Sequence, residues 1–201
     1  MPVPFQYVSK GLFRRLTTAC EVSEALKLRP EQRDLYRILG IEQESFDVDQ
    51  KRLEQKYKKL QTVYHPDRYA NTSREEQAFS AEASSLVNTA YSTLKAPLDR
   101  ATYLLARQGF GIDEETESVD NPAFLMEVME AQEAVNDSDE PEVLQSMKVK
   151  YLRRQSDIIQ AVSDAFARGD LSSANEGKIH LRYVIRILGA IEEKEEPAWS
   201  S

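Results

Sequence analysis

Two stripes of apolar residues at helical spacing, separated by one proline-containing break, constrain the fold of this chain more than any other feature. Upstream of the break, Leu53, Tyr57, Leu60 and Tyr64 recur at i, i+4, i+7 and i+11, one face of a helix. Downstream, Phe79, Ala83, Leu86, Ala90 and Leu94 form a second stripe over residues 74–95. Between them Pro66 fixes its own φ and biases His65 away from helical geometry. Two helices joined by so short a loop pack antiparallel. The pattern predicts a helical hairpin with Tyr64-His65-Pro66-Asp67-Arg68 at its exposed tip.

The flanking segments follow the same period. Leu35, Ile38 and Leu39 face inward on a short helix over 34–39, which Gly40 stops. Asp47, with Gln50 three residues on, is the expected cap of the first hairpin helix. Residues 21–32 lack a clear stripe and are expected to be a linker. Pro97 opens a further helix that Gly109 ends, with Leu98, Ala101, Leu104 and Leu105 packing back. Asn121-Pro122 opens a helix over 123–136. On it Phe124, Val128, Ala131 and Val135 form a complete core face. Leu125, Met126 and Met129 point away from that face, beside Glu130 and Glu133. Contiguous apolar residues with a polar rim mark an interface.

A long helix over 140–167 carries Leu144, Met147, Tyr151, Ile158 and Val162 inward. Gly169 stops it, and Asp170 caps a last helix over 171–195 with Leu181, Val184, Leu188 and Ile191 as its core face. Ile179, Tyr183 and Ile187 form a second row, Tyr183 lying away from the main core direction. No stretch alternates with a strand's period of two. The expected class is all-α: a helical hairpin domain, then an antiparallel three-helix bundle. The expected boundaries are 1–32 (leader and linker), 33–108 (hairpin domain), 109–120 (connection), 121–196 (bundle) and 197–201 (tail).

Charge separates the halves. Residues 108–201 hold nine basic against twenty acidic side chains, a net charge of −11 that argues against a nucleic-acid partner. No apolar run approaches the roughly 18 residues that span a membrane. One cysteine, Cys20, allows no internal disulfide, and two distant histidines supply no metal-ligand set. The first twenty residues include Lys10, Arg14 and Arg15 and no acid, with Phe5, Val8, Leu12 and Leu16 on one helical side. That is the pattern of a mitochondrial transit peptide, and it points to the mitochondrial matrix.

His65 two residues from Asp67 invites a catalytic reading, but a nucleophile and an oxyanion site are missing from the pattern. Docking suits the loop better. Proline presets its shape, Asp67 offers a carboxylate that a partner arginine can grip, and Lys58, Lys59 and Arg68 form a positive apron. The plain alternative for His65 is a helix-end cap.

At these residues the sequence resembles a known family. Asp34 to Gly40, Lys58 to Arg68, and Asn88-Thr89-Ala90-Tyr91 with Leu94 resemble the helices and His-Pro-Asp loop of a J-domain. Leu60-Gln61, Pro97, Arg100-Ala101 and Tyr103-Leu104-Leu105, with Phe124-Leu125-Met126-Glu127, Glu130 and Glu133, resemble the HscB-type iron–sulfur co-chaperones.

The resemblance implies a J-domain that docks on a DnaK-type chaperone (heat-shock protein 70 class) and triggers its ATP hydrolysis. His65, Pro66, Asp67, Arg68, Tyr57, Lys58 and Lys59 match the docking positions. It also implies a bundle that holds an IscU-type iron–sulfur scaffold protein, with Leu125, Met126, Met129, Glu130, Glu133, Asp137 and Tyr183 at the matching positions. No cofactor of its own is implied: ATP belongs to the chaperone and the cluster to the scaffold. Two departures stand out. The four-cysteine metal site of some animal and plant members is absent, and Met129 replaces a more usual leucine. The alternative is a general J-domain co-chaperone for unfolded clients, though its usual Gly/Phe-rich linker and zinc module are lacking.

Overall fold

The computed structural model describes residues 17–29, 32–110 and 122–195. The foremost leader residues, the acidic connection over 111–121 (with the expected cap Asn121) and the tail lie outside them. Every regular element among the described residues is helical: α1 (Thr17–Leu26), α2 (Leu35–Ile38), α3 (Gln50–Tyr64), a 3-10 turn (Pro66–Tyr69), α4 (Arg74–Lys95), α5 (Pro97–Arg107), α6 (Pro122–Asp137), α7 (Pro141–Arg168) and α8 (Leu171–Glu195). They form two compact units that divide between Ala96 and Pro97.

The first unit is built on the predicted hairpin. Leu53, Leu60 and Tyr64 of α3 and Ala83, Leu86, Ala90 and Leu94 of α4 are buried. Asp49, rather than Asp47, caps α3 by accepting the Lys51 and Arg52 N–H groups. Both aspartates precede the same apolar run, and only the path of the preceding loop selects between them. Ser73 caps α4 in a reciprocal pair with Glu76.

Residues 17–26, part of the expected leader and linker, form α1. Its Val22 and Ala25, one turn apart, are buried, and it packs on α2, α3 and α4. An ion pair joins Glu21 to Arg37 of α2. The segment is short and most of its apolar residues are small, so the hairpin's surface decides its structure.

The second unit is an up-down-up bundle centred on α8, which packs against α5, α6 and α7. Lys194 near the end of α8 donates to the Asn136 carbonyl at 2.6 Å, and Lys148 near the start of α7 pairs with Glu195 at 2.5 Å. These contacts place α6 and α8 parallel, with α7 antiparallel to both. Gly169 closes α7 at φ 71°, a left-handed conformation that glycine adopts without a Cβ penalty. Asp170 then caps α8 through Ser173.

Two expectations change here. By its contacts α5 belongs to the second unit: Leu105 is buried with Ala165 and Ala174, and Phe110 packs on the same cluster. The compact units therefore divide before α5, not at residue 108. Ile179 and Ile187, expected as a second row, are core, because a helix flanked on three sides buries more than one stripe.

Candidate functional site

The hairpin tip is a self-braced loop. His65 leaves the helix with φ −61° and ψ 127°, the extended geometry that a following proline favours. Its Nδ1 accepts the Asp67 N–H at 3.3 Å, capping the 3-10 turn. The plain reading of His65 as a cap is thus part of the structure, here for the turn after it.

Hydrogen bonds tie the rest of the loop to the helix ends. The Ser80 hydroxyl, buried in α4, donates to the Tyr64 carbonyl at 2.9 Å. The Tyr69 hydroxyl donates to Val63 at 3.2 Å, and the Arg68 guanidinium donates to the Thr62 carbonyl. Gln77 Nε2 bridges the carbonyls of Ala70 and Thr72. The last carbonyls of α3 are satisfied from within, so the loop keeps its shape without a partner.

The Asp67 side chain is left 89% exposed, with Oδ2 3.6 Å from His65 Nδ1. Arg68 and Lys59 are also exposed, and Lys59 has no ion pair among the described residues. Lys58 pairs with Glu54 at 2.6 Å, and their hydrogen bond raises the lysine pKa and lowers that of the glutamate. Both are solvated, so the pair contributes little to stability.

Tyr57 has a different place from its neighbours. Its ring stacks on Tyr91 at 4.1 Å, and its hydroxyl donates to Asn88 Oδ1 at 3.0 Å. Gln61 donates to the same oxygen at 2.6 Å and accepts from Ser84 at 3.2 Å. Tyr57 therefore fixes the register of the two hairpin helices as well as offering an edge to solvent. Sequence reasoning missed Ser80 and Gln77, and took Asn88 only as part of the J-domain resemblance, without its bonds to Tyr57 and Gln61. Ser80 carried a signal, a hydroxyl beside the apolar stripe, but its acceptor lies sixteen residues away.

In the second unit, α6 presents the expected apolar patch. Met126 and Met129 are 62% and 63% exposed. Leu125 is half-buried, and Glu130, Glu133 and Asp137 are exposed. Phe124 links this surface to the core. It stacks on His180 at 3.9 Å and meets Tyr183 edge-on at 5.8 Å. That contact brings half-buried Tyr183 of α8 to the patch on α6, with Arg186 5.7 Å above its ring. His180 Nε2 is buried with no hydrogen-bond partner among the described residues, and burial lowers the imidazole pKa. His180 thus supports Phe124 as a neutral ring.

Among the described residues no cluster of three or more His, Cys, Asp or Glu side chains can hold a metal ion, and no helix is long and apolar enough to cross a membrane.

The chain matches two family models. The DnaJ domain matches residues 34–103, and the HSCB C-terminal oligomerisation domain matches residues 120–192. The mouse (Mus musculus) iron-sulfur cluster co-chaperone protein HscB is 33% identical over 178 residues, 89% of this chain and 76% of that protein. The crystal structure of human co-chaperone protein HscB superposes with a TM-score of 0.78 at 34% identity, covering 85% of each chain. Chaperone HscB from Vibrio cholerae gives a TM-score of 0.71 at 28% identity, covering 81% of this chain and 98% of that one. The His-Pro-Asp hairpin and the following bundle thus occur here in the order and fold of these relatives, and the chain belongs to the HscB family of iron–sulfur cluster co-chaperones.

Proposed function

We propose that this chain binds an IscU-type iron–sulfur scaffold through its bundle, presents it to a DnaK-type chaperone through its J-domain, and stimulates that chaperone's ATP hydrolysis. The observation that carries this reading is the braced tip loop. A loop already held in shape loses little entropy on binding, and the exposed Asp67 carboxylate is a ready acceptor for a partner guanidinium. His65 and Pro66 set the turn, while Lys58, Lys59 and Arg68 favour an acidic docking surface. On the bundle, Leu125, Met126, Met129 and Tyr183 supply apolar contact, and Glu130, Glu133 and Asp137 select a basic rim on the scaffold.

In this reading the chain is not itself an enzyme and carries no cofactor. Its site of action is the mitochondrial matrix, in keeping with the basic, acid-free N-terminal segment and with the mouse and human relatives. The test is single-turnover ATP hydrolysis by the chaperone with scaffold present. Asp67→Asn keeps the size of the side chain and removes its charge. Stimulation is expected to fall to the level of chaperone plus scaffold alone, with the circular dichroism spectrum unchanged. Full stimulation by this variant refutes the docking role of the loop.

A further inference from the structure

We propose that the groove between α6 and α7 is a second docking element, which takes an aspartate or glutamate side chain of the same scaffold that covers Met126 and Met129. It rests on the scaffold reading above and adds an attraction of opposite sign to it.

The groove encloses about 500 Å³ beside Glu127, the residue that follows Met126 on α6. Lys150, Arg153 and Arg154 line it from α7, with Val149 and Ser146 at its edge. The half of the chain that carries it has twenty acidic and nine basic side chains, so three cations here form a local reversal of sign. Arg153 has no ion pair or hydrogen bond among the described residues. Lys150 has only the Tyr151 ring, 5.3 Å from its Nζ. Arg154 reaches Glu127 at 4.0 Å, a loose contact between half-exposed groups. Asp157 at the rim and Glu127 offset part of the positive charge.

Tyr151 supplies the second observation. Its ring is buried, the residue being 4% exposed, and lines the groove, while its hydroxyl reaches solvent and makes no hydrogen bond among the described residues. A solvent-facing phenol is free to donate to a ligand that enters the groove. Burial, then the nearby Glu127 charge, raises its pKa, so it remains a donor at neutral pH. A guanidinium, an ammonium and a phenol O–H all donate, and the complement of such a set is a carboxylate. The acidic surroundings disfavour a polyanion, which leaves an isolated acidic side chain. Together with the acidic rim of α6, the groove makes the surface bipolar, and this fixes the orientation of a bound partner.

The test is calorimetric binding of the full chain to IscU-type scaffold at low and high ionic strength. Lys150→Glu with Arg153→Glu is expected to weaken binding about tenfold at low salt, a loss that shrinks as salt rises. Tyr151→Phe should weaken binding roughly threefold with the melting temperature unchanged, since the lost hydroxyl has no internal partner. Tyr151→Phe keeps the test decisive if the double variant folds poorly. Wild-type affinity in both, alongside lost binding by Met126→Ser with Met129→Ser, overturns the groove and spares the scaffold reading. A loss equal at all salt concentrations overturns the carboxylate assignment. No binding by the unmodified chain overturns the scaffold reading and the groove with it.

Discussion

Gly177 and Gly189 lie on the same helix, α8, and alanine should stabilise only at Gly189. Glycine in a helix interior is roughly 0.5–1 kcal/mol less favourable than alanine, so each replacement begins with that gain. At Gly189 an added Cβ meets no atom of the described residues within 4 Å, and the gain should be realised. At Gly177 the same atom would lie 2.5 Å from Val162 Cγ2, far inside the ~3.5–4.0 Å of carbon contact. Val162 is fully buried on α7 and cannot yield cheaply, since a valine in a helix has one favoured χ1. Relief requires an off-rotamer side chain or a shift of α7, and such overpacking costs about 1–3 kcal/mol. Gly177→Ala should therefore be neutral to about 2.5 kcal/mol destabilising, the overpacking cost less the propensity gain. The assay is urea unfolding read by amide hydrogen exchange in α7 and α8, which isolates this unit from the hairpin. Val162→Ala should couple favourably with Gly177→Ala in a double-mutant cycle, because it removes the obstructing methyl. Equal stabilisation by both glycine replacements would refute the close approach of α7 and α8.

Other outcomes follow from the bundle. Met126→Ser with Met129→Ser should reduce scaffold binding at least tenfold, as truncation of central apolar anchors does. It should change the melting temperature little, because both side chains are largely exposed; a collapse in melting would show them to be core. His180 should make the bundle acid-sensitive. Its folded pKa is lowered, chiefly by burial and further by Arg154, against Glu176 and Glu127. The unfolded chain therefore takes up the proton first. The contribution is complete above the unfolded value of about 6.5 and is lost as pH falls from there towards the lowered folded value. His180→Phe keeps the stack on Phe124 and removes the titration. Urea midpoints should drop less between pH 7.5 and pH 5.5 in the variant, and equal drops would contradict the assignment.

Much of the fold was legible because helix punctuation is local. Pro97, Pro122 and Pro141 stand at helix starts, Gly109 and Gly169 stand just past helix ends, and the hairpin stripes are long enough to show their period. The α6 patch was legible too, since 100° per residue separates Met126 and Met129 from Phe124, Ala131 and Val135. Neither α1 nor the three-sided burial of α8 could be read this way. Val22 and Ala25 become core only because the hairpin offers them a surface, and Ile179 and Ile187 only because α8 has neighbours on several sides.

Local sequence was enough for an all-α chain, a helical hairpin with His65, Pro66 and Asp67 at its tip, and a bundle helix with two apolar faces. These follow from backbone rules and periodicity, which act within a few residues. How those residues are held depends on the packing of the helices. It set His65 Nδ1 as the cap of its own turn, locked Tyr57 against Tyr91 and Asn88, and moved α5 to the bundle. It also set Lys150, Arg153 and Tyr151 around one groove with Glu127 of α6. Each of these depends on partners that are distant in sequence or across a helix–helix gap. Side-chain hydrogen bonding and packing at that range are fixed only when the helices meet.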